Sequence, residues 1–181
     1  MSGSKNSEKN PSDSLFYAYL FGELNFDSAQ SLVYEINRAN NDPKVEEIVL
    51  TICSGGGFLR PAFAIYDAIK NSNKKITAIA SGFCASASLM VLQAATTRKA
   101  TKNTRFMIHL TNNMVDRSTN YDEFLFLTED YEQNHKLCME LSGKGAGLTG
   151  QEFEDLAKPR KYLTVEEALK FGKLGLIDAI I

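Results

Sequence analysis

Short apolar stretches alternate with amphipathic stretches along most of the chain. In the first kind apolar residues are nearly continuous, and in the second kind they recur every three or four positions. The first kind predicts strands at Leu15–Phe21, Glu47–Ile52, Lys75–Ala80, Arg105–Leu110 and Leu176–Ile181. The second kind predicts helices at about 28–40, 61–70, 86–95 and 121–142, and shorter helices after Thr149 and Thr164. This repeated order predicts an α/β fold with a mostly parallel sheet and crossover helices.

The longest predicted helix, Tyr121–Ser142, carries apolar side chains on more than one side. Phe124 and Leu127 fall near one stripe, whereas Leu125 and Phe126 widen it. A single stripe would pack the helix on its own domain, and the wider apolar surface is also compatible with burial against another subunit. The sequence leaves both interpretations open.

The chain divides into a short tail and one domain. Residues 1–14 have no large apolar side chain after Met1 and predict a disordered polar tail, so residues 15–181 form the single expected domain. The tail lacks the apolar segment of a secretory signal, and no apolar run reaches transmembrane length. The expectation is a cytoplasmic protein that does not bind a membrane.

Composition narrows the function. With 20 basic and 22 acidic residues the 181-residue chain has a formal charge of −2 and a pI near 5.8, which argues against nucleic acid as a partner. A hydrophobic content of 44% excludes a disordered chain. The three cysteines are widely spaced and the histidines number two, so reduced thiols are expected, and neither a metal site nor a cofactor is predicted.

Three features that could carry chemistry follow three successive predicted strands. They are the Gly55–Gly57 run, Ser86 at a strand-to-helix turn, and His109 at the end of a strand. Each also has an ordinary structural explanation, as a flexible connection, a helix cap and a core histidine. Parallel strands bring such features to one edge of the sheet, where a nucleophile, a base and backbone donors could meet. His135, among polar neighbours in the long helix, is expected to be solvated.

Five segments in this order resemble a known family. The segments SGGGF, AIYDAI, GFCASAS, RFMIHL and YLTVEEALKFGKLGLID are similar to the proteolytic subunit of the Clp protease, a serine peptidase of the crotonase-like (ClpP) fold. The resemblance runs from about Leu15 to Ile181. It implies a spiral of ββα and βαβ units with a long protruding helix, assembly into a homo-oligomeric ring or stacked rings, and peptides or unfolded proteins as substrates. It also implies an ATPase unfoldase as partner, although the short N-terminus weighs against that docking.

The resemblance also implies a role for each matched residue. Ser86 would be the nucleophile and His109 the general base that takes its proton. The backbone N–H groups of Gly57 and Ala87 would form the oxyanion hole. Ser88 is a rival serine at a position where the family has a small residue.

Two departures from the family pattern bear on activity. The family's third triad residue is an aspartate two positions before an aromatic residue, and counting back from Tyr162 reaches Arg160. A cation at that position cannot orient a neutral imidazole, and it would lower the pKa of His109. The carboxylates that could replace the aspartate are Asp116, Glu154 and Asp155. The segment that follows His109, Leu-Thr-Asn-Asn, also differs from the family's Gln-Pro and glycine pair, which borders the substrate groove.

Three functions are therefore compatible with the sequence. The first is a serine endopeptidase subunit of a self-compartmentalising Clp-like protease. The second, favoured by Arg160, is a catalytically weak or inactive structural or regulatory subunit that assembles with an active relative. The third is a crotonase-type acyl-CoA enzyme, which ranks last because the segments around Ser86 and His109 fit it poorly.

Overall fold

The computed structural model describes residues 14–112 and 120–181, so the predicted tail lies outside the described residues except for Ser14. The strands are β1 (Leu15–Leu24), β2 (Glu47–Gly57), β3 (Lys75–Ala85), β4 (Thr97–Ala100), β5 (Arg105–Ile108), β6 (Lys161–Leu163) and β7 (Ala179–Ile180). The helices are α1 (Phe26–Asn41), α2 (Leu59–Lys70), α3 (Ala87–Ala94), α4 (Tyr121–Lys144), α5 (Gly150–Ala157) and α6 (Val165–Leu169). The expected α/β fold is confirmed.

One sheet connects all of these strands. Its main path runs β1-β2-β3-β4-β7, and β5 pairs with β3 on one side and with β6 on the other. The β5–β6 pair is antiparallel, and the other pairs are parallel. The helix α3, whose residues are all buried, packs into the centre of the domain. This topology brings the end of β3 and the end of β5 side by side.

The second and third strands are longer than the sequence predicts. β2 continues through the glycine run to Gly57, and β3 continues through the segment 81–85 that reads as a turn. A register shift between Ile52 and Ser54 marks an irregularity that lets the paired strands continue. Small residues are poor strand formers on their own, but pairing with neighbours on both sides holds the backbone extended.

The first strand is buried on one face only, although its apolar composition predicts a fully buried strand. Ala18 and Leu20 are buried, whereas Tyr17, Tyr19 and Phe21 are 52%, 57% and 60% exposed. Side chains alternate between the two faces of a strand, and within the single chain one face of β1 is left uncovered. The aromatic residues therefore form an exposed row, here called the β1 aromatic row.

The first helix begins earlier than expected. The sequence predicts a cap at Asp27 or Ser28, whereas the cap is Asn25, whose side chain accepts a hydrogen bond from the Ser28 backbone at 3.0 Å. The Ser28 hydroxyl in turn accepts a hydrogen bond from the Asn25 backbone at 2.9 Å. Ser28 thus completes a reciprocal capping box instead of starting the helix.

Two short strands, β4 and β6, are not predicted from the sequence, and β7 is shorter than the predicted 176–181. β4 contains Arg98, which is only 7% exposed and whose guanidinium donates to Asp178 at 2.5 Å and to Gln93 at 2.7 Å. A charged residue in the middle of a strand hides the apolar pattern on which a sequence prediction rests. Ion pairing and amide contacts satisfy the buried charge and fasten the C-terminal segment to the sheet.

The long helix α4 covers the predicted segment and continues to Lys144. Near its beginning Tyr121, Phe124 and Phe126 are 74%, 45% and 68% exposed. Cys138 and Met139, near its end, are buried against the rest of the domain. The helix therefore packs on its own domain at its C-terminal end and presents apolar side chains to the exterior at its N-terminal end. Within the described ranges, no helix is both long and apolar enough to span a lipid bilayer.

Candidate active site

Ser86 lies at the junction between β3 and α3 in a backbone conformation that serine rarely adopts. Its φ is 56°, a positive value that among the described non-glycine residues occurs here alone. It occupies the cap position of α3, but its side chain makes no capping hydrogen bond. Its backbone N–H donates to the Met107 carbonyl at 3.0 Å, which ties the turn to β5. The strained turn thus presents the Ser86 hydroxyl towards the end of β5.

His109 follows directly after β5 and contacts Ser86. The distance from His109 Nε2 to Ser86 Oγ is 2.8 Å, which is a hydrogen bond between a hydroxyl and an imidazole. Burial lowers the pKa of His109, and the positive charge of Arg160 lowers it further. The imidazole is therefore held in its neutral form, in which one ring nitrogen can accept the Ser86 proton.

The glycine run passes against the Ser86 turn. A Cβ added to Gly56 would lie 2.7 Å from the Ala85 carbonyl oxygen, 2.8 Å from Ser86 Cβ and 2.9 Å from the Ala87 nitrogen. Gly57 is fixed against the end of β1, opposite Leu24. The approach of the two backbones thus requires a residue without a side chain at position 56.

Ala87, the first residue of α3, follows Ser86 directly. Its N–H belongs to the first turn of the helix, where backbone donors have no partner within the helix. A negative charge that develops next to this turn would be stabilised by these donors and by the helix dipole. Both predicted oxyanion-hole residues, Gly57 and Ala87, therefore belong to segments that meet at Ser86.

The hydroxyl of Ser88, the rival serine, forms hydrogen bonds with the backbone of the same turn. It is fully buried, and its hydroxyl accepts a hydrogen bond from the Ala85 N–H at 2.9 Å and lies 2.7 Å from the Ala85 carbonyl oxygen and 3.0 Å from that of Ser54. A hydroxyl surrounded in this way is a structural group that joins β2, β3 and α3. A substrate cannot approach it without unfolding the turn.

Arg160 lies at the expected place of the third triad residue. In the antiparallel β5–β6 pair Ile108 faces Lys161, so that His109 and Arg160 are the next residues along the two segments. Arg160 is exposed, and it forms no ion pair with any described residue. No Asp or Glu within residues 14–112 and 120–181 forms an ion pair with His109.

The three carboxylates that could replace the missing aspartate have different surroundings. Glu154 Oε1 is 2.6 Å from Lys158 Nζ, and its Oε2 is 3.5 Å from His135 Nε2. Asp155 accepts a hydrogen bond from Gln151. Asp116 lies outside the described residues. Glu154 and Asp155 therefore have partners other than His109.

A small pocket with a cavity volume of about 20 Å³, room for about one water molecule, adjoins Ser86 and His109. Most of its other wall residues are apolar or small, namely Leu59, Ala87, Leu89, Ile108, Cys138, Met139 and Phe153, together with Thr111 and Ser142. Burial raises the pKa of the Cys138 thiol to about 11, so at neutral pH this thiol contributes an uncharged wall instead of a competing nucleophile. The wall beside the Ser86 hydroxyl is therefore mostly apolar and uncharged.

His135 is not the solvated side chain that the sequence predicts. The side chain is only 16% exposed, and its Nδ1 lies 2.7 Å from the Thr111 hydroxyl. The prediction is wrong because α4 packs against α5 and against the segment after β5, which covers one side of a helix whose local sequence is polar. Within the described part of the chain, no three His, Cys, Asp or Glu side chains are arranged to hold a metal ion.

The close approach of Gly56 to the Ser86 turn predicts that alanine substitutions at positions 55 and 56 will have very different effects on the reactivity of Ser86. Gly56→Ala should reduce the reactivity of Ser86 by about 10²- to 10³-fold, because the new methyl group would displace the Ser86 turn from its backbone donors. Gly55→Ala is the matched control, since its Cβ would meet only a Phe83 ring atom at 3.9 Å. The rate of Ser86 acylation, measured in both variants, checks the expectation; equal rates would contradict it.

Comparison with known proteins finds a family match over the region that contains the candidate site. The sequence profile described as Clp protease matches residues 15–181, which is nearly the whole described domain. The chain belongs to the Clp protease family. The segments that form the Ser86 turn, the His109 strand and the glycine run all fall within the matched region.

Several Clp protease relatives cover most of this chain. The ATP-dependent Clp protease proteolytic subunit 2 of Prochlorococcus marinus (strain MIT 9312) is 32% identical over 168 residues, which are 90% of this chain and 79% of that protein. Subunit 3 of Synechococcus sp. (strain CC9605) is 30% identical and covers 90% of this chain and 80% of its own length. A ClpP1 mutant from Listeria monocytogenes superposes with a TM-score of 0.79 at 21% identity, covering 91% of this chain and 90% of its own. The last similarity establishes the ClpP fold, and membership of the Clp protease family disfavours the acyl-CoA alternative.

Proposed function

We propose that this Clp protease family member is a serine endopeptidase subunit in which Ser86 is the nucleophile and His109 the general base. The observation that carries the proposal is the 2.8 Å hydrogen bond between His109 Nε2 and Ser86 Oγ at a strained strand-to-helix turn. In the proposed reaction His109 takes the hydroxyl proton, Ser86 Oγ attacks a peptide carbonyl, and His109 returns the proton to the leaving amine. Water activated by His109 then hydrolyses the acyl-enzyme, which regenerates Ser86.

The proposal assigns stabilisation of the tetrahedral intermediate to the N–H groups of Gly57 and Ala87. Support comes from the close approach of Gly56, where an added Cβ would lie 2.9 Å from the Ala87 nitrogen, because this approach brings the glycine run beside the first turn of α3. Preorganised backbone donors next to a developing oxyanion contribute strongly to acyl transfer. The mostly apolar wall next to Ser86 would contact the substrate near the scissile bond.

A fluorophosphonate probe tests the assignment of the nucleophile. The reagent phosphonylates an activated serine hydroxyl, and mass spectrometry of peptides from the labelled protein identifies the modified residue. We expect the label on Ser86 and none on the buried Ser88. Absence of label at Ser86, together with no peptide hydrolysis by the assembled protein, would overturn the proposal.

The lowered pKa of His109 predicts the pH dependence of the reaction. A general base must be unprotonated, and a pKa below the ordinary histidine value of 6.5 keeps it unprotonated at lower pH. The acidic limb of the profile of kcat/KM against pH should therefore lie below 6.5. Arg160→Gln removes one of the two causes of the low pKa, so the limb should move to higher pH in this variant. An acidic limb at or above 6.5 in the wild-type protein would contradict the expectation.

Exposed apolar surfaces support the proposal that the subunit acts as a homo-oligomeric ring or as stacked rings. The β1 aromatic row and the N-terminal part of α4 would be covered by neighbouring copies, since exposed patches of this kind mark interaction surfaces. Native mass spectrometry gives the number of subunits, and a stable monomer would contradict the proposal. The three cysteines are free, which is consistent with the reducing environment of the cytoplasm, the location that we propose.

Arg160 favours a second function, that of a weakly active or inactive subunit that assembles with an active relative. Loss of an orienting carboxylate lowers the rate of a serine protease by about 10⁴-fold. Such a subunit should co-purify with a second Clp protease subunit and change that subunit's rate. A homogeneous assembly whose own peptidase activity depends on Ser86 would exclude this alternative.

A further inference from the structure

Within residues 14–112 and 120–181 no carboxylate forms an ion pair with the His109 imidazole, and the structure indicates another source of support. β5 ends at Ile108, so the sheet holds the backbone before His109 and does not hold the backbone after it. Within residues 14–112 and 120–181, the hydrogen bonds that reach residues 110–112 all involve Thr111. The position of the His109 backbone therefore depends on β5 on one side and on Thr111 on the other.

The carbonyl and the hydroxyl of Thr111 are both bound by α4. The Tyr131 hydroxyl donates to the Thr111 carbonyl oxygen at 2.6 Å, and the Thr111 hydroxyl lies 2.7 Å from His135 Nδ1 and 3.0 Å from the Tyr131 hydroxyl. The Tyr131 and His135 rings stack with 6.0 Å between their centroids. Thr111 also lines the pocket beside Ser86 and His109, so this contact reaches the candidate site.

The other side of His135 faces α5. Its Nε2 lies 3.5 Å from a Glu154 carboxylate oxygen, and the other carboxylate oxygen of Glu154 accepts a hydrogen bond from Lys158 at 2.6 Å. His135 thus contacts Thr111 through Nδ1 and α5 through Nε2. Thr111, Tyr131, His135 and Glu154 together form what is here called the Thr111 network.

We propose that His135 is a positioning residue that, through Thr111, holds His109 at hydrogen-bonding distance from Ser86. The inference rests on the proposed function, because it concerns the same base. Its physical basis is that a displacement of a catalytic group by about 1 Å can cost about 10²-fold in rate. Support from the backbone is needed here because no described carboxylate orients the His109 ring and Arg160 lies where one would be expected.

The test compares His135→Ala, His135→Gln and Tyr131→Phe in the full-length protein. Glu132→Gln is the control, because Glu132 is an exposed residue of the same helix. The first measurement is hydrogen–deuterium exchange of the peptide that contains residues 108–112, and the second is the rate of Ser86 labelling by a fluorophosphonate.

We expect His135→Ala to label about tenfold more slowly than the wild-type protein and to exchange faster at residues 108–112. Tyr131→Phe should change both measurements in the same direction, because it removes the bond to the Thr111 carbonyl. His135→Gln should fall between His135→Ala and the wild-type protein, since an amide can keep the contact with Thr111, and Glu132→Gln should match the wild-type protein.

Three results would overturn the inference. They are exchange at residues 108–112 equal to the control, faster exchange there with unchanged labelling, and faster exchange throughout the domain, which would make His135 a general stabilising residue. If the wild-type protein itself is not labelled at Ser86, the proposed function fails, and with it the role of His135 in positioning a base. Local exchange still decides whether His135 holds the segment after β5, so the two failures are distinguishable.

Discussion

Arg160→Asp should increase peptide hydrolysis by between about 10²- and 10⁴-fold. The substitution places a carboxylate opposite His109 in the β5–β6 register, where it can accept a hydrogen bond from Nδ1–H and stabilise the imidazolium that forms when Ser86 attacks. The upper figure is the cost of losing this carboxylate in a serine protease. The lower figure applies because position 160 is exposed, which weakens the interaction of a carboxylate with the imidazole.

Two further variants separate the causes of the expected gain. Arg160→Gln removes the positive charge without adding a carboxylate, so it should give only a small part of the increase. Lys44→Asp makes the same change in net charge at an exposed position outside the candidate site and should leave the rate unchanged. The measurement is kcat/KM for a fluorogenic peptide over a range of pH, because the new carboxylate should also raise the pKa of His109. If Arg160→Asp is no faster than Arg160→Gln, residue 160 does not occupy the triad position.

Ser86→Ala should abolish the activity gained in the Arg160→Asp variant, with a loss of about 10⁴-fold or more. Triad residues act as a unit, so removal of the nucleophile costs most when the base and the carboxylate are both in place. In the natural Arg160 background the same substitution should cost only about 10²-fold, because the missing carboxylate has already removed most of the catalytic effect. The difference between the two losses measures the coupling between positions 86 and 160.

The matched control for this prediction is Ser31→Ala, an exposed serine on α1. It should leave peptide hydrolysis unchanged in both backgrounds. Ser88→Ala is not a suitable control, because the Ser88 hydroxyl holds the Ala85 backbone within the same turn. Equal losses for Ser86→Ala in both backgrounds would mean that Ser86 and residue 160 do not act in one triad.

The order of strands and helices could be predicted because the hydrophobic period is a local property of the sequence. The long helix α4 and the short helix after Thr164 are examples, and both occur where the pattern places them. The ends of β2 and β3 could not be predicted. Their last residues are mostly small ones such as glycine, serine and alanine, which become strand because neighbouring strands bind their backbone.

The candidate site, like the fold, could be predicted from the sequence only in part. The sequence places Ser86, His109 and the glycine run at the ends of successive strands, and in the structure Ser86 and His109 are hydrogen-bonded to each other while Gly56 lies against Ser86. Their roles in a reaction stay predictions. The contact of His135 with Thr111 could not be predicted from the sequence, because the two residues are 24 positions apart in the chain. A polar neighbourhood in the sequence does not reveal which side of a helix a second helix will cover.

The sequence by itself determined the fold class, the order of the elements and the small group of residues with the right chemistry, because each depends on local composition and period. Tertiary structure alone decided the 2.8 Å contact between His109 and Ser86, the place of Arg160 beside that histidine, and the burial of His135. Those results depend on which strands pair and in what register. The register in which two strands pair depends on both strands together, so the sequence of either strand alone does not specify it.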